Sequence, residues 1–249
     1  MDIATSVEKR VEWIKDLLKS SGAGGIVYGN SGGKDCTLVA ALCRRATDNV
    51  VGVILPCDSA RNYGEDRKDA LAAGEMYGIP QLEVDLSPVK TALSAALAGA
   101  LEGESTSEGG RRAASVNINP RLRMIALYAV AQARGWLVAG TGNASEYEMG
   151  YFTKWGDGAY DFDPIADLTV SEVYEHLRFV GAPENIIAKA PSAGLYPGQT
   201  DEQEMGVTYA EIERYIRGGE VSSESRAVMD AMKRRSAHKR VPPLRFPGL

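Results

Sequence analysis

Long apolar runs and cysteines are scarce in this sequence, and both absences exclude classes of protein. No apolar run approaches the roughly 18 residues that a membrane-spanning helix requires. The first residues, Met1 to Thr5, lack the basic and apolar regions of a signal peptide, so we expect no leader. The 3 cysteines, Cys36, Cys43 and Cys57, are odd in number and unclustered, which argues against a disulfide framework or a zinc site. We therefore expect a cytoplasmic protein without a membrane partner.

Positive charge is not in excess either. The formal net charge is −5, which disfavours a general nucleic-acid-binding protein. Hydrophobic residues make up 44% and charged residues 24% of the chain, proportions that are typical of a soluble globular protein. A length of 249 residues is enough for one large α/β domain, and we expect residues 1–249 to form a single domain.

Two common phosphate-binding motifs are absent, but a third glycine-rich loop is present. The dinucleotide fingerprint G-x-G-x-x-G does not occur, and the Walker-type P-loop needs four residues between its first glycine and its Gly-Lys pair. Here Gly33-Lys34 follows Gly29 by one residue too few. What remains is Ser31-Gly32-Gly33-Lys34-Asp35, placed between an apolar run at 24–29 and an Ala/Leu-rich segment.

This order of strand, glycine turn and helix predicts an anion site. Glycines let the backbone approach a phosphate closely, and the free amides of the first helical turn point at it. Asp35, in that turn, is badly placed to touch phosphate but well placed to hold Mg²⁺ against one. The alternative is an ordinary turn without a ligand, because Ser-Gly-Gly triplets occur in many loops by chance.

The remaining pattern predicts an open parallel sheet flanked by helices. We expect strands at residues 24–29, 49–56, 81–86 and 135–142. We expect helices from 3 to about 21, and at 38–43, 64–77, 88–102, 120–133, 169–180, 183–189, 208–217 and 222–235, with loops at 57–63 and 103–110. Because parallel strands end at one edge of a sheet, the turns at Ser31, Pro56 and Thr141 should face one cleft.

Motifs along the whole chain resemble a known family. The Ser-Gly-Gly-x-Asp loop resembles the signature of the N-type ATP pyrophosphatases, which cleave ATP between the α- and β-phosphates. Later segments resemble, in order, the motifs of the NAD synthetases within that group: Asn117–Met124, Gly140–Glu146, Gly150–Gly158, Pro191–Leu195, Thr200–Glu202 and His238–Phe246. The matches run from residue 24 to 246. The resemblance implies an adenine nucleotide alpha hydrolase-like α/β fold with a mostly helical C-terminal part.

The resemblance also implies a reaction, the amidation of deamido-NAD by an ammonia-dependent NAD synthetase. ATP would form an acyl-adenylate and release pyrophosphate, and free ammonia would then displace AMP. A carboxylate oxygen is a poor leaving group, so it must become a phosphoric anhydride before nitrogen attacks. The protein's share is positioning and charge neutralisation. The family further implies Mg²⁺ and a homodimer with the acceptor site near its two-fold interface.

Each matched position takes a role by resemblance. Asp35 and Glu146 would hold Mg²⁺ on the phosphates. The positions that would bind ATP are Gly29, Asn30, Ser31, Gly32, Gly33, Lys34, Asp35, Cys36, Thr141 and Ser192. The positions that would bind deamido-NAD are Asn117, Arg121, Lys154, Asp161, His238 and Lys239. Ser192 lies in a loop, 191–203, that we expect to close over the reaction.

Some of these residues have plainer interpretations. Glu146 would otherwise be a helix-start or surface carboxylate, and Thr141 a capping hydroxyl, a role that does not exclude contact with ATP. The basic run from Arg226 to Arg245 would otherwise be a solvated tail. Asp157, in a Gly-Asp-Gly turn, would either take a proton from ammonium or stabilise its turn.

Three departures from the family pattern matter. Cys36 stands where the family usually has Ser, and its thiol is either a buried inert group or one made oxidisable by the helix N-terminus. Val170 replaces a lysine that reaches the ATP phosphates, and we hypothesise that Lys34 supplies that charge from another direction. The loop at 57–63 lacks the serine-rich form of many members, so the adenine contacts there have no assignment.

Two other functions remain open at this point. An ATP pyrophosphatase of different specificity, such as a thiolation enzyme, would suit Cys36 but would usually carry further catalytic cysteines. A non-catalytic nucleotide sensor would suit the fold, but the pair Asp35 and Glu146 argues against it. The chain has no room for a glutaminase domain of a few hundred residues, although a separate glutaminase partner is compatible with it.

Overall fold

Four parallel strands form the centre of the computed structural model, which describes residues 2–58, 60–189, 200–243 and 245–246. The strands are β1 (Ile26–Gly29), β2 (Val50–Ile54), β3 (Gln81–Glu83) and β4 (Leu137–Ala139), in the sheet order β3-β2-β1-β4. All neighbouring pairs are parallel. The predicted open parallel sheet is confirmed, and each strand is shorter than the apolar run that predicted it.

Helices pack on both faces of this sheet. In the described residues they are α1 (Ile3–Ser21), α2 (Lys34–Ala46), α3 (Ala60–Tyr63), α4 (Glu65–Met76), α5 (Ser87–Ala100), α6 (Glu108–Arg134), α7 (Ala144–Met149), α8 (Val170–Val180), α9 (Glu184–Ile187), α10 (Asp201–Met205), α11 (Tyr209–Ile216) and α12 (Ser223–Arg235), followed by a 3₁₀ turn at Ala237–Lys239. Within the described residues, no helix combines the length and apolarity needed to cross a membrane.

Alternation along β1 divides the core between the two faces. Ile26 and Tyr28 face a cluster formed with α1, α2 and α8, whereas Val27 faces a cluster formed with β2 and α6. A third apolar cluster, around Met229, joins α7, α8, α11 and α12. This third cluster packs the C-terminal helices against α7 and α8.

The prediction for the middle of the chain was wrong at one helix. The loop expected at 103–110 and the helix expected at 120–133 are instead largely one helix, α6, which begins at Glu108. Its N-terminus is capped by Ser107, whose side chain accepts a hydrogen bond from Gly110 N at 3.0 Å. Pro120 lies inside this helix although its ring removes one N–H donor, so it does not mark the helix start as the sequence suggested.

Three short helices were not expected from the sequence. Residues 57–63, predicted as a loop, contain α3, while α7 and α10 fall in stretches that show no helical periodicity. Asn143 caps α7 through Glu146 N at 3.1 Å, and Thr200 caps α10 through Gln203 N at 3.3 Å. Elements of six residues or fewer carry too few apolar positions for a period to appear.

Candidate functional site

A cavity of about 1120 Å³ opens at the carboxyl ends of the strands. Ser31 after β1, Pro56 after β2 and Thr141 after β4 all line it, as the predicted topology required. Its remaining walls come from α6, from the 150–160 segment and from the C-terminal residues around Ser236. The cavity therefore joins the sheet to the helical C-terminal part.

The glycine loop after β1 has a backbone that side chains would not allow. Gly32 has a φ of +71°, and a Cβ atom there would lie 2.4 Å from the carbonyl oxygen of Asp66. Gly33 occupies the N-cap position of α2 and makes no side-chain capping bond. The loop thus approaches α4 closely and presents the start of α2 to the cavity, which is the geometry that an anion requires.

Asn30 holds this loop in shape through its side chain. Its buried amide group donates to Ala70 O and to Gln81 Oε1, both at 2.9 Å, and its Oδ1 accepts from Gly32 N at 3.1 Å. Both amide hydrogens are thereby used within the protein. Any contact between Asn30 and ATP is left to its backbone.

Cys36 is a buried thiol at the first turn of α2. Its side chain donates to Gly33 O at 3.2 Å and lies 3.4 Å from Ser31 Oγ. Burial raises the pKa of Cys36, and the hydrogen bonds around it offset only part of that effect. These contacts favour the inert thiol over the oxidisable one.

Asp35 and Glu146, from two different turns, meet at Asn143. The Asn143 side chain donates to Asp35 Oδ1 at 3.2 Å, while its backbone N–H donates to Glu146 Oε2 at 3.1 Å. Burial, and then the charge of Asp35, raise the pKa of Glu146. The charges of the two carboxylates act on each other, and this donor set fits Mg²⁺, which prefers one or two carboxylates beside phosphate oxygens.

Lys34 supplies a cation to the same cluster. Its Nζ lies 2.6 Å from Asp35 Oδ2, and the side chain is only 7% exposed. Burial acts to lower the pKa of Lys34, but Asp35 and Glu146 outweigh it, so its pKa is raised. The ammonium also lies 6.0 Å from the ring centroid of Tyr209, which packs in the same apolar cluster as Val170. Lys34 therefore reaches toward the region where the family lysine is missing.

The turn after β4 positions Thr141 on the cavity wall. The capping hydroxyl proposed for Thr141 is wrong, because Asn143 forms the cap of α7, with Glu146 completing a reciprocal capping box. Glu146 is thus a helix-start carboxylate that also lines the cavity, and its role toward Mg²⁺ stays a prediction.

The residues expected to bind the acceptor divide into two groups. Asn117, His238 and Lys239 line the cavity. Arg121 and Lys154 lie outside its lining and are joined to each other, since Arg121 donates to Lys154 O at 3.4 Å. Lys154 in turn donates to His238 O at 2.6 Å, so the two groups form one continuous edge.

Two further expected residues have defined contacts and a third lies outside the description. Asp161 accepts from Val138 N at 2.7 Å and from Tyr128 OH at 3.2 Å, away from the cavity lining. Asp157 lines the cavity and accepts from Thr153 N at 2.9 Å, which supports its turn-stabilising role. Ser192, with most of the loop predicted to close, lies outside the described residues.

The structure adds polar residues that the sequence did not single out. Lys189 pairs with Asp66 and Asp69 at 2.8 and 2.7 Å, beside the glycine loop. Arg123 lines the cavity from α6. Its signal was present in the sequence, because Arg123 is the second arginine of the Asn117–Met124 segment, whereas Asp66 and Lys189 carry no local pattern.

Comparison with known proteins gives consistent results. The sequence matches the NAD synthase family over residues 6–243. The NH(3)-dependent NAD(+) synthetase of Carboxydothermus hydrogenoformans is 44% identical over 234 residues, covering 94% of this chain and 93% of that protein. The structure of NMN synthetase from Francisella tularensis superposes with a TM-score of 0.92 at 37% identity, covering 100% of both chains. NAD+ synthetase from Burkholderia pseudomallei gives a TM-score of 0.77 at 31% identity, covering 96% of this chain and 90% of that one.

Proposed function

The chain belongs to the NAD synthase family, and on that premise we propose that its cavity performs the ATP-dependent amidation of deamido-NAD with ammonia. The observation that carries this proposal is the position of Asn143, which donates to Asp35 and to Glu146 beside the glycine loop. That arrangement can serve as a binding site for a metal-bound triphosphate. The same cavity extends to Asn117 and Lys239, where an acceptor carboxylate can reach the α-phosphate.

The first step joins the acceptor to the nucleotide. An acceptor carboxylate oxygen attacks the α-phosphorus of ATP. The bond between the α-phosphorus and the oxygen that bridges to the β-phosphate breaks, and pyrophosphate leaves. Backbone amides of the glycine loop and of the first turn of α2 bind the departing pyrophosphate. In the second step ammonia attacks the acyl carbon, AMP leaves, and a proton is lost from nitrogen to give the amide. Asp157 is a candidate acceptor for that proton.

Asp35 and Glu146 would hold Mg²⁺, which when bound would neutralise charge on the phosphates. Lys34 contributes a second cation to the same cluster, at 2.6 Å from Asp35. Together they lower the repulsion between an anionic acceptor and an anionic nucleotide.

A second copy of this chain is the partner that we propose for the acceptor side. Helix α5 buries none of its residues, and Val89, Leu93, Leu97 and Leu101 are between 38% and 52% exposed. Their spacing of four residues aligns them in one apolar row, a pattern that indicates an unfilled protein contact. Ile125 on the neighbouring helix α6 is 59% exposed, four residues beyond Arg121. A homodimer through α5 and α6 would cover this face and enclose the edge formed by Arg121 and Lys154.

The source of ammonia and the location of the reaction remain predictions. Free ammonia suffices for the chemistry, and a separate glutaminase partner is compatible with it. A cytoplasmic location fits the three cysteines of the chain, which are free and buried.

Nicotinate mononucleotide is a second candidate acceptor. The NMN synthetase structure superposes with a TM-score of 0.92, against 0.77 for the Burkholderia NAD+ synthetase. The mononucleotide offers the same carboxylate to the same chemistry but lacks the adenylyl group. The two acceptors would therefore differ in their contacts at the outer edge, not at Asp35 or Glu146.

One experiment tests these assignments together. The protein is incubated with Mg²⁺-ATP, ammonium and each acceptor in turn, and NAD, NMN, AMP and pyrophosphate are measured. Amide, AMP and pyrophosphate in equal amounts support the proposal, and the ratio of kcat/KM for the two acceptors identifies the substrate. Pyrophosphate release with a sulfur acceptor alone would point to a thiolation enzyme, and ATP binding without turnover to a nucleotide sensor.

A further inference from the structure

Arg123 lines the cavity, and among the described residues its guanidinium group has no carboxylate partner. Its Nε donates to Leu55 O at 3.1 Å and its Nη2 donates to Asn62 Oδ1 at 3.0 Å. Both of these hydrogen-bond acceptor atoms are neutral, and a guanidinium has five N–H donors. Across the described part of the chain, no carboxylate oxygen lies within ion-pair distance, 4.0 Å, of Arg123.

Several other cationic side chains with little solvent exposure differ from Arg123 in their partners. Four of them, each with a side chain no more than 14% exposed, have a carboxylate partner: Arg10 with Asp167, Lys34 with Asp35, Lys90 with Asp58 and Lys189 with Asp66. A cation withdrawn from water without an anion is unfavourable in the free protein. Arg123, which is partly buried, has no such partner among the described residues, and this points to an anion that arrives from outside.

Arg123 also lies where the two halves of the cavity meet. Burial lowers its pKa more than the fields of Cys57, Asp157 and Asp66 raise it. Asp66 lies beside the glycine loop, on what we call the nucleotide side of the cavity, and is paired with Lys189. Asp157 lies in the 150–160 segment, on what we call the acceptor side, and accepts from Thr153 N. Neither carboxylate neutralises Arg123 directly. The guanidinium thus faces the space between the glycine loop and the acceptor residues.

We propose that Arg123 binds the reacting oxyanion at the junction of the two substrates, which rests on the proposed adenylation. The reaction brings a carboxylate against an α-phosphate, and both carry negative charge until the new P–O bond forms and pyrophosphate leaves. A planar guanidinium binds either oxyanion through two parallel N–H donors. The shared chemistry is a carboxylate or phosphate oxygen anion, and its source is either the acceptor or the nucleotide.

The experiment compares Arg123→Met and Arg123→Lys with a matched control, Arg44→Met. Arg44 is also partly buried and its Nε donates to a backbone carbonyl, Tyr77 O, at 3.3 Å, but it lies outside the cavity lining. We measure kcat and KM for each substrate, and the dissociation constant of Mg²⁺-ATP by calorimetry without acceptor. Loss of one donor group to a developing oxyanion typically lowers the rate about 100-fold or more. We expect that loss in Arg123→Met, partial recovery in Arg123→Lys, and values near wild type in Arg44→Met.

The two sources of the anion give different results. A phosphate contact weakens ATP binding in Arg123→Met, whereas a carboxylate contact leaves ATP binding unchanged and lowers kcat/KM for the acceptor. Kinetics and ATP affinity within twofold of wild type in Arg123→Met would overturn the proposal. If wild-type protein amidates neither acceptor, the proposed function fails by itself. The dissociation constants of Mg²⁺-ATP and of each acceptor for Arg123→Met then decide this proposal, weaker binding of either supporting it and unchanged binding of both rejecting it.

Discussion

The nucleotide side and the acceptor side of the cavity are built in different ways. The nucleotide side comes mainly from one continuous stretch, residues 29–36, whose members Asn30 and Lys34 are buried and bonded within the protein. The acceptor side is assembled from α6, the 150–160 segment and the C-terminal residues, and Trp155 there is 51% exposed. The first is held by hydrogen bonds within one stretch of chain, whereas the second ends in exposed apolar surface.

This difference gives each side its own sensitivity to substitution. A preorganised site loses catalysis when one charged group changes, because nothing else moves to replace it. An open edge loses affinity by smaller steps, because several weak contacts share the ligand. The predictions that follow test this contrast.

The largest effect is expected for Asp35→Asn. The replacement is nearly isosteric, keeps a hydrogen-bond acceptor toward Asn143 and removes one metal-binding charge. We expect kcat to fall about 1000-fold or more, as for the loss of a principal electrostatic group in other enzymes. Thermal unfolding should show an intact fold, and the stabilisation by Mg²⁺-ATP that we expect in the wild type should be lost.

The control for this variant is Asp16→Asn, at an exposed position on α1. It should leave turnover and the Mg²⁺-ATP stabilisation unchanged. An Asp35→Asn protein that retains more than a tenth of wild-type turnover would show that the metal is held by other groups. The rigid character assigned to the nucleotide side would then be wrong.

Lys34→Ala is expected to have the second largest effect. It removes the cation 2.6 Å from Asp35 and leaves Asp35 and Glu146 facing each other. We expect the KM for ATP to rise about 10- to 100-fold, or turnover to fall by that factor, from the loss of one charge-assisted contact. Lys15→Ala on the exposed face of α1 is the control, and steady-state kinetics is the measurement. Normal kinetics for Lys34→Ala would refute the idea that Lys34 stands in for the missing lysine at Val170.

The acceptor side should respond differently to substitution of its apolar surface. Leu93→Asp together with Leu97→Asp places two charges on the exposed row of α5. We expect sedimentation to show a monomer, and the KM for the acceptor to rise about tenfold, as for removing a moderate binding contact. The affinity for ATP should stay within twofold of wild type.

Lys68→Asp, on a helix at the other side of the sheet, adds negative charge without touching this row. It is the control for net charge and should remain a dimer. If the wild-type protein is a monomer with full activity, the second copy of the chain takes no part in the acceptor site. In that case the edge formed by Arg121 and Lys154 would bind its ligand unaided.

The same contrast decides how much the sequence could predict. The glycine loop is local, so Gly32, Gly33 and Asp35 could be assigned a site from order and spacing alone, and the strands around them followed from apolar runs. The acceptor edge depends on contacts between distant segments, such as Lys154 with His238 O. No local pattern encodes such a contact. Pro120 misled for the same reason, because tertiary packing keeps α6 continuous through a residue that usually ends a helix.

The smallest predicted effect concerns the C-terminal helices that support the acceptor side. Glu211 accepts from Thr208 N at 2.9 Å, which caps α11, and from Ser225 Oγ at 2.6 Å, which ties α11 to α12. These hydrogen bonds, the one from Ser225 first, lower the pKa of Glu211 to about 2. A folded-state pKa below the unfolded value stabilises the protein above pH 4.5, and this contribution disappears as the pH falls toward 2.

Glu211→Gln should therefore lower the free energy of unfolding near neutral pH by about 1 kcal/mol, the usual size of a lost cap, since water screens the carboxylate. The deficit should shrink steadily between pH 4.5 and 2, because wild-type Glu211 becomes protonated over that range. Urea unfolding at several pH values measures it, with Glu220→Gln, an exposed glutamate, as the control. If the deficit in the free energy of unfolding persists unchanged to low pH, it comes from packing at the cap and not from the charge of Glu211. Because Glu211 does not line the cavity and its bonds are to Thr208 and Ser225, kcat should be unaffected, and the loss of stability should occur without a loss of catalysis.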